Sequence, residues 1–341
     1  MHDNERAGIL LINTGTPDAP RPPEVRVYLR EFLSDPRILD IPALTRWALL
    51  NFVILPKRKY RSAEAYSQIW SPEGAPLLVI MGELRDKVAE QLPNAVVELG
   101  MRYGNPSLED GVERLLEQDV DRIIAAPLFP QYSSAANGSV LEKLYTLLAV
   151  RWNVPPISVL PPFYADAGFL DAWAAVARPH VEEFKPDHVL LSYHGLPERH
   201  VIKSDPTRAH CLQSEDCCAA DAPANRHCYR KQCLRTSEWL AGRLGLAGER
   251  YETSFQSRLG KAAWIQPETD AVIRSLPARG VKRLAVLCPA FTVDCLETIE
   301  EIGLRGREDF LNAGGSEYLM VPSLNSHPAW VDALANLLRS V

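Results

Sequence analysis

Arg283-Leu-Ala-Val-Leu-Cys-Pro-Ala290 runs directly into Phe291-Thr-Val-Asp294-Cys-Leu-Glu297-Thr-Ile-Glu300-Glu301. The first segment is short and almost wholly apolar, the pattern of a strand buried on both faces of a parallel sheet. The second brings carboxylates and continues as a helix, so acids gather where a strand gives way to a helix. Asp294, Glu297 and Glu301 are spaced i, i+3 and i+7, which at about 3.6 residues per turn places all three on one helix face. Like charges so placed repel, and a pair such as Glu297 and Glu301 costs its helix roughly 0.2–0.5 kcal/mol. Asp294-x-x-Glu297 also fits a capping box, and acids are favoured by the dipole at any helix start. On this segment alone, a functional acidic row and an ordinary helix start are equally good readings.

A second junction of the same kind shifts the balance. In Asp187-His-Val-Leu-Leu-Ser-Tyr-His194-Gly-Leu-Pro197 an apolar strand ends in a turn and delivers a histidine to its C-terminal edge. Open α/β sheets bind ligands at that edge. A single loop histidine is commonly just solvated or hydrogen-bonded, although its near-neutral titration suits proton transfer. Two such strand ends facing one cleft would join a base to a set of carboxylates.

Apolar strand-like runs alternate with helical patterns along the chain, at 8–13, 96–103, 122–130 and 157–163, then at 188–193, 250–256, 283–290 and 317–322. Alternation of this kind predicts parallel sheets covered on both faces. With 341 residues and 46% hydrophobic content, the chain exceeds one ordinary domain and can build two cores. The fold class predicted is α/β, with two Rossmann-like domains at 1–165 and 166–325, each a four-stranded parallel sheet flanked by helices. The stretch Val154-Pro-Pro-Ile-Ser-Val-Leu-Pro-Pro162 marks the junction, and one of its runs is itself a strand. The two halves share this rhythm and not their residues. No strand is followed by G-x-G-x-x-G or a P-loop pattern, which disfavours a nucleotide.

A formal charge of −6 with no basic run argues against nucleic acid as a partner and provides no polybasic membrane anchor. The polar start leads into Ile9-Leu-Leu-Ile12, too short for a signal-peptide core, so a cytoplasmic location is expected. Residues 38–56 are the most apolar long stretch, but Asp40, Pro42 and Arg46 interrupt it and it falls short of the ~20 residues that span a bilayer. Its segment Trp47-Ala-Leu-Leu-Asn-Phe-Val-Ile-Leu55 reads either as a core helix or as an exposed apolar lip. Arg58, Arg102, Tyr103, Tyr132, Phe255 and Trp264 stand in loop-like segments, where aromatics are usually core and arginines usually solvated.

Ser192-Tyr-His-Gly-Leu-Pro197 and Phe291-Thr-Val-Asp-Cys-Leu-Glu-Thr298 resemble signature segments of the ferrochelatases. So do Leu11-Ile-Asn-Thr-Gly-Thr-Pro17, Gly100-Met-Arg-Tyr-Gly-Asn-Pro106, Leu128-Phe-Pro-Gln-Tyr-Ser133 and Thr253-Ser-Phe-Gln-Ser-Arg-Leu-Gly260, in the family's order and over nearly the whole chain. The resemblance implies two Rossmann-like domains with a cleft between them. It further implies a C-terminal helix, within 326–341, that packs back on the first domain. The apolar lip would lie over the pocket and touch the inner membrane peripherally. The implied reaction is insertion of Fe2+ into protoporphyrin IX, the last step of haem formation. Coproporphyrin III is the alternative substrate, and a porphyrin- or iron-binding regulator with an iron–sulfur sensor is the alternative of another class.

That chemistry accounts for the residue types, because two pyrrole N–H protons leave as a divalent ion arrives. His194 would serve as base or as metal-directed imidazole. Glu297, backed by Asp294 and Glu301, would supply hard oxygen ligands or a proton relay. Arg58, Arg102, Tyr103, Tyr132 and Trp264 would hold the flat macrocycle and its carboxylate edges, and wall aromatics would bend it. The chain departs from its animal relatives in carrying Cys295 where they have histidine and Thr14 where they have methionine. Arg305 stands one turn beyond Glu301, where another acid is expected.

Five of the seven cysteines fall in Cys211-Leu-Gln-Ser-Glu-Asp-Cys217-Cys218 and Cys228-Tyr-Arg-Lys-Gln-Cys233, within a segment at 207–233 that looks inserted relative to ordinary bacterial ferrochelatases. In a cytoplasmic chain such density points to metal before disulfide, with incidental thiols as the plain alternative. Spacings without C-x2-C fit a zinc ribbon poorly. Some ferrochelatases carry a [2Fe–2S] cluster, so the resemblance implies one here on Cys211, Cys218, Cys228 and Cys233, with Cys217 the alternate.

Overall fold

A computed structural model describes residues 6–258, 260 and 262–341 of the chain. The polar first five residues, and Leu259 of the Thr253–Gly260 segment, lie outside the described residues. The chain divides into two compact units, Met1–Leu128 with Ser134–Pro161 and Val331–Val341, and Phe129–Ser133 with Pro162–Trp330.

The first unit contains β1 (Ala7–Asn13), α1 (Pro22–Ser34), α2 (Ala43–Ala48), a π-helix at Leu49–Ile54, α3 (Leu55–Ile69) and α4 (Pro76–Gln91). It continues through β2 (Ala95–Met101), α5 (Leu108–Leu116), β3 (Arg122–Pro127), α6 (Ser139–Ala149) and β4 (Ile157–Val159). The four strands form a parallel sheet in the order β2-β1-β3-β4. Ile9, Leu10, Leu11 and Ile12 of the central β1 are all buried, as a strand covered on both faces requires. α5 starts on a reciprocal capping box, in which Ser107 Oγ accepts from Asp110 N–H and the Asp110 carboxylate accepts from Ser107 N–H. Gly15 follows β1 with φ +104, and any Cβ there would fall 1.8 Å from the Tyr103 carbonyl oxygen.

The second unit contains α7 (Ala167–Phe184), β5 (His188–His194), α8 (Glu198–Ser204), α9 (Tyr229–Arg243), β6 (Tyr251–Gln256) and α10 (Thr269–Ser275). β7 (Arg283–Leu287), a π-helix at Glu297–Gly306, α11 (Arg307–Asn312) and β8 (Glu317–Met320) complete it. Its parallel sheet runs β6-β5-β7-β8, so both sheets have the same order when their strands are numbered in sequence. α12 (Pro328–Arg339) ends the chain, with Arg339 donating to the Gln91 carbonyl and Arg122 donating to that of Val341.

All eight predicted strands are present, but several stop early. β7 ends at Leu287 and not at 290, because Pro289 has no N–H to carry the ladder onward. The reading of residues 47–55 as a core helix does not hold. α2 and the following π-helix bury only Leu50, while Leu44, Trp47, Phe52 and Val53 are exposed, Leu44 by 78% and Phe52 by 71%. Trp47 packs edge-on against Phe52 with centroids 5.5 Å apart. Among the described residues, no helix is long and apolar enough to cross a membrane.

The core of the second unit gathers Leu190 from β5, Leu284 and Val286 from β7, Val272 and Ile273 from α10, Ile302 from the π-helix and Phe310 from α11. Phe310 is fully buried, so Phe310→Ala should cost roughly 3–5 kcal/mol through lost burial and a residual cavity. Urea denaturation followed by tryptophan fluorescence would measure this, and a loss under about 1 kcal/mol would contradict the packing described.

Candidate active site

The order β6-β5-β7-β8 reverses direction between β5 and β7, since the chain leaves β5 toward one side of the sheet and β7 toward the other. The crevice beyond the C-terminal ends of two such strands is where open α/β sheets place ligands. His194 is the last residue of β5, and Phe291 stands in the segment leaving β7. Their rings are 6.4 Å apart, and Trp264 approaches the imidazole at the same centroid distance.

The turn after His194 is fixed by its neighbours. Gly195 N–H donates to the Gln256 carbonyl at 2.8 Å, Ile265 N–H to the Leu196 carbonyl, and Glu198 N–H to the Ala263 carbonyl. A Cβ on Gly195 would lie 2.8 Å from the Gln256 oxygen and 3.1 Å from the Trp264 ring, so only glycine lets the indole close on the imidazole. His194 Nδ1 lies 2.6 Å from the Gly195 carbonyl oxygen. A carbonyl only accepts, so Nδ1 carries the proton and Nε2 keeps its lone pair for a proton or a metal.

Opposite this turn, the acidic segment forms a π-helix instead of the α-helix assumed from its spacing, which rephases the row. Asp294 precedes the helix, and its carboxylate accepts from Thr298 Oγ1 at 2.8 Å, from Asn325 Nδ2 at 2.8 Å and from Ser323 N–H. Asp294, expected in an acidic relay, is thus a buried carboxylate bonded to the loop it precedes. Glu301 accepts from Ser257 N–H at 2.9 Å and from Ser257 Oγ at 2.6 Å. Burial, with Glu297 adding to it, overrides Ser257 and Arg305 and pushes the Glu301 carboxyl up to about 7. Arg305 pairs with the buried Glu300 at 2.8 Å and reaches Glu301 at 3.9 Å, which explains a cation where another acid was expected.

The ferrochelatase family model matches residues 6–341 of this chain. The chain belongs to the ferrochelatase family. It is 49% identical to the ferrochelatase of Azotobacter vinelandii over 334 residues, covering 97% of this chain and 98% of that one. It is 44% identical to that of Coxiella burnetii (strain CbuK_Q154) over 340 residues, covering 99% and 95%. Among solved structures, SirB from Bacillus subtilis with Fe3+ superposes with a TM-score of 0.52 at 15% identity, covering 98% of this chain and 95% of that one. At that identity the likeness concerns the two-sheet chelatase fold alone.

Of the residues expected to hold the macrocycle, Trp264 and Tyr132 lie in the second unit and Arg58, Arg102 and Tyr103 in the first. Tyr103 is 2% exposed, and its hydroxyl donates to Asp35 at 2.8 Å. Arg102 is drawn into the same network, donating to Asp35 at 2.7 Å and to Ser139. Burial would raise the Asp35 carboxyl, but Ser139, the Arg37 N–H, Tyr103 and Arg102 together hold it below its ordinary range. Phe255 is likewise core at 3% exposure. Arg58 is half-buried on α3. Tyr132 packs against the His227 ring at 5.5 Å, and its N–H donates to Gln232 Oε1 at 2.7 Å. Sequence reading passed over Gln256 and Ser257, although both stand where β6 reaches the same sheet edge.

All five clustered cysteines are buried. The Asp205 carboxylate organises their loop by accepting from the N–H groups of Thr207, His210 and Cys211. Cys217 and Cys218 Sγ lie 3.8 Å apart, with Arg230 Nη1 at 4.0 and 3.5 Å from them. Cys228 interacts with the thiols of Cys211 and Cys218, and together with burial pushes Cys218 well above its ordinary value. Cys233 sits deeper, against Tyr229. Among the described residues, no group of three or more His, Cys, Asp or Glu side chains is disposed to hold a metal ion as it stands.

Glu301 makes the site pH-sensitive. Its folded value near 7 lies above the ordinary 4.5, so the folded state binds more protons between those values, and its contribution to stability is full below about pH 4 and is lost as pH rises through 7. Glu301→Gln should remove this dependence. Between pH 5 and 8 wild type should lose on the order of 3 kcal/mol relative to the variant, read from urea denaturation; parallel pH curves for the two proteins would exclude the raised carboxyl.

Proposed function

We propose that this chain inserts ferrous iron into protoporphyrin IX. The observation that carries the reading is that the second unit holds both an imidazole whose Nδ1 meets the Gly195 carbonyl and a π-helix bearing Glu297 and Glu301, the two joined through Gln256. Insertion exchanges two pyrrole N–H protons for one Fe2+. His194 Nε2 takes a proton from the macrocycle, the Glu297 carboxylate presents hard oxygens to the incoming ion, and Glu301 accepts or releases protons near neutrality. Trp264 and Phe291, flanking the imidazole, offer aromatic faces to the ring, and Tyr132 serves as a further contact. The exposed apolar lip supports protoporphyrin over the more highly charged coproporphyrin III, and supports peripheral contact of a cytoplasmic enzyme with a membrane surface.

His194→Ala and Glu297→Gln should each lower anaerobic insertion of Fe2+ or Zn2+ by about 10²-fold or more while porphyrin still quenches protein fluorescence. Comparing turnover on protoporphyrin IX and coproporphyrin III decides the substrate. Saturable porphyrin binding without any insertion by wild type would favour the regulator.

We further infer a [2Fe–2S] cluster on the cysteine segment. What supports the reading is four or more buried thiols in one short segment, with the Arg230 charge beside two of the sulfurs and Leu212 N–H directed at Cys217 Sγ at 3.4 Å; binding would require the thiols to gather from the positions they occupy here. Cys211, Cys218, Cys228 and Cys233 would hold it, with Cys217 competing for the fourth place. Its contribution would be to cross-link a loop of little apolar content, so its removal should destabilise the second unit. Anaerobically purified protein should show visible sulfide-to-iron bands with about two irons per chain, and chelator treatment should lower its melting temperature. Colourless, zinc-loaded protein would refute the cluster and leave the chelatase reading intact.

A further inference from the structure

Gln256 closes β6 and is only 2% exposed, so it meets neither porphyrin nor iron. Its amide is nevertheless engaged at both ends. Oε1 accepts from Ser192 Oγ at 2.7 Å, and Nε2 donates to the Glu297 carbonyl at 3.0 Å. Its main-chain carbonyl accepts from Gly195 N–H at 2.8 Å, and β5 pairs His194 directly with Gln256. One buried residue therefore touches both the turn that carries the imidazole and the first residue of the π-helix.

The orientation of the amide is also determined. An amide has one donor end and one acceptor end. The Glu297 carbonyl can only accept, so it holds the Nε2 end toward the helix and leaves Oε1 facing β5, where it meets Ser192 Oγ, itself hydrogen-bonded to Thr269 Oγ1 at 2.9 Å. Thr269 Oγ1 is itself bonded to Ser254 Oγ at 2.8 Å, so the chain of hydroxyls is anchored on β6 and α10.

We infer that Gln256 is a positioning residue for metal insertion, one that sets the separation between the His194 imidazole and the Glu297 carboxylate through this oriented amide. The inference rests on the roles assigned above to His194 and Glu297. Removing the amide leaves both side chains present but frees the π-helix start from β6. A register error of that kind affects the chemical step while leaving macrocycle binding intact, because the aromatic walls are unchanged.

The test uses the whole chain with Gln256→Met, which keeps the side-chain length and loses both amide bonds, and Ser192→Ala, which keeps the amide and its bond to the Glu297 carbonyl but loses the hydroxyl that holds Oε1. Gln256→Met should lower kcat about 10- to 100-fold with the porphyrin Kd, from fluorescence quenching, within about 2-fold of wild type. Ser192→Ala should act in the same direction by a smaller factor, and the double variant should be no worse than Gln256→Met alone, since both act through one amide. Should Gln256→Met fail to fold, Ser192→Ala alone carries the kcat-against-Kd comparison. A kcat within about 2-fold of wild type, or kcat and porphyrin affinity falling in the same ratio, would overturn the positioning role. Undiminished activity in His194→Ala would instead remove the assignment on which the inference rests.

Discussion

The second sheet depends on β5 being paired on both sides by parallel neighbours whose connections depart in opposite directions. Parallel strands need crossover connections, and these cover the faces of the sheet with helices. The C-terminal ends of β5 and β7 are where the departing connections diverge. Whatever stands at those ends faces a crevice whether or not it has a function. Here the residues are His194, Phe291 and the acid-rich segment that follows, so chemistry is placed by topology before any side chain makes a contact. The first sheet repeats the strand order without these residues, which shows that the fold supplies the crevice and the sequence supplies the reagents.

Electrostatics then divides the acidic segment into three tasks. Asp294 has four acceptor contacts from Thr298, Ser323 and Asn325 and is spent on holding the loop. Glu300 is buried and neutralised by Arg305. Glu301 is buried with only hydroxyl and amide donors close by and a more distant guanidinium, too little to keep it ionised below neutrality. Carboxylates that look alike in sequence thus differ in setting, Asp294 bonded to its own loop, Glu300 ion-paired and Glu301 with a raised carboxyl, and the difference lies in the number and charge of the donors each one meets.

The strands were legible because parallel strands read as unbroken apolar runs, and His194 was legible because it ends one. The π-helix was not, since the spacing of Asp294, Glu297 and Glu301 satisfies an α-helical period and nothing local announces the wider turn. Partners distant in sequence were equally hidden. Asp294 meets Asn325 across 31 residues, and Tyr103 meets Asp35 across 68, so an aromatic and an arginine that suited a pocket wall are instead consumed by a buried carboxylate. The lip stayed open between two readings, because its helical apolar pattern suits a core helix as well as an exposed one, and only exposure distinguishes the two.

The cysteine segment connects to the remainder of the second unit through α9. Gln232, adjacent to Cys233, accepts from Tyr132 N–H, and Thr236 Oγ1 one turn later accepts from Gln131 Nε2 at 3.0 Å. His227, adjacent to Cys228, lies against the Tyr132 ring. Phe129–Ser133 is a short excursion of the chain whose flanks, Met1–Leu128 and Ser134–Pro161, belong to the other unit, and these bonds tie it to α9. Ordering the thiol-bearing loop fixes the start of α9, and α9 holds Tyr132. A change of order in that loop would therefore reach Tyr132 and its neighbours along this mechanical path, while the His194 turn, held from β6, stayed in place.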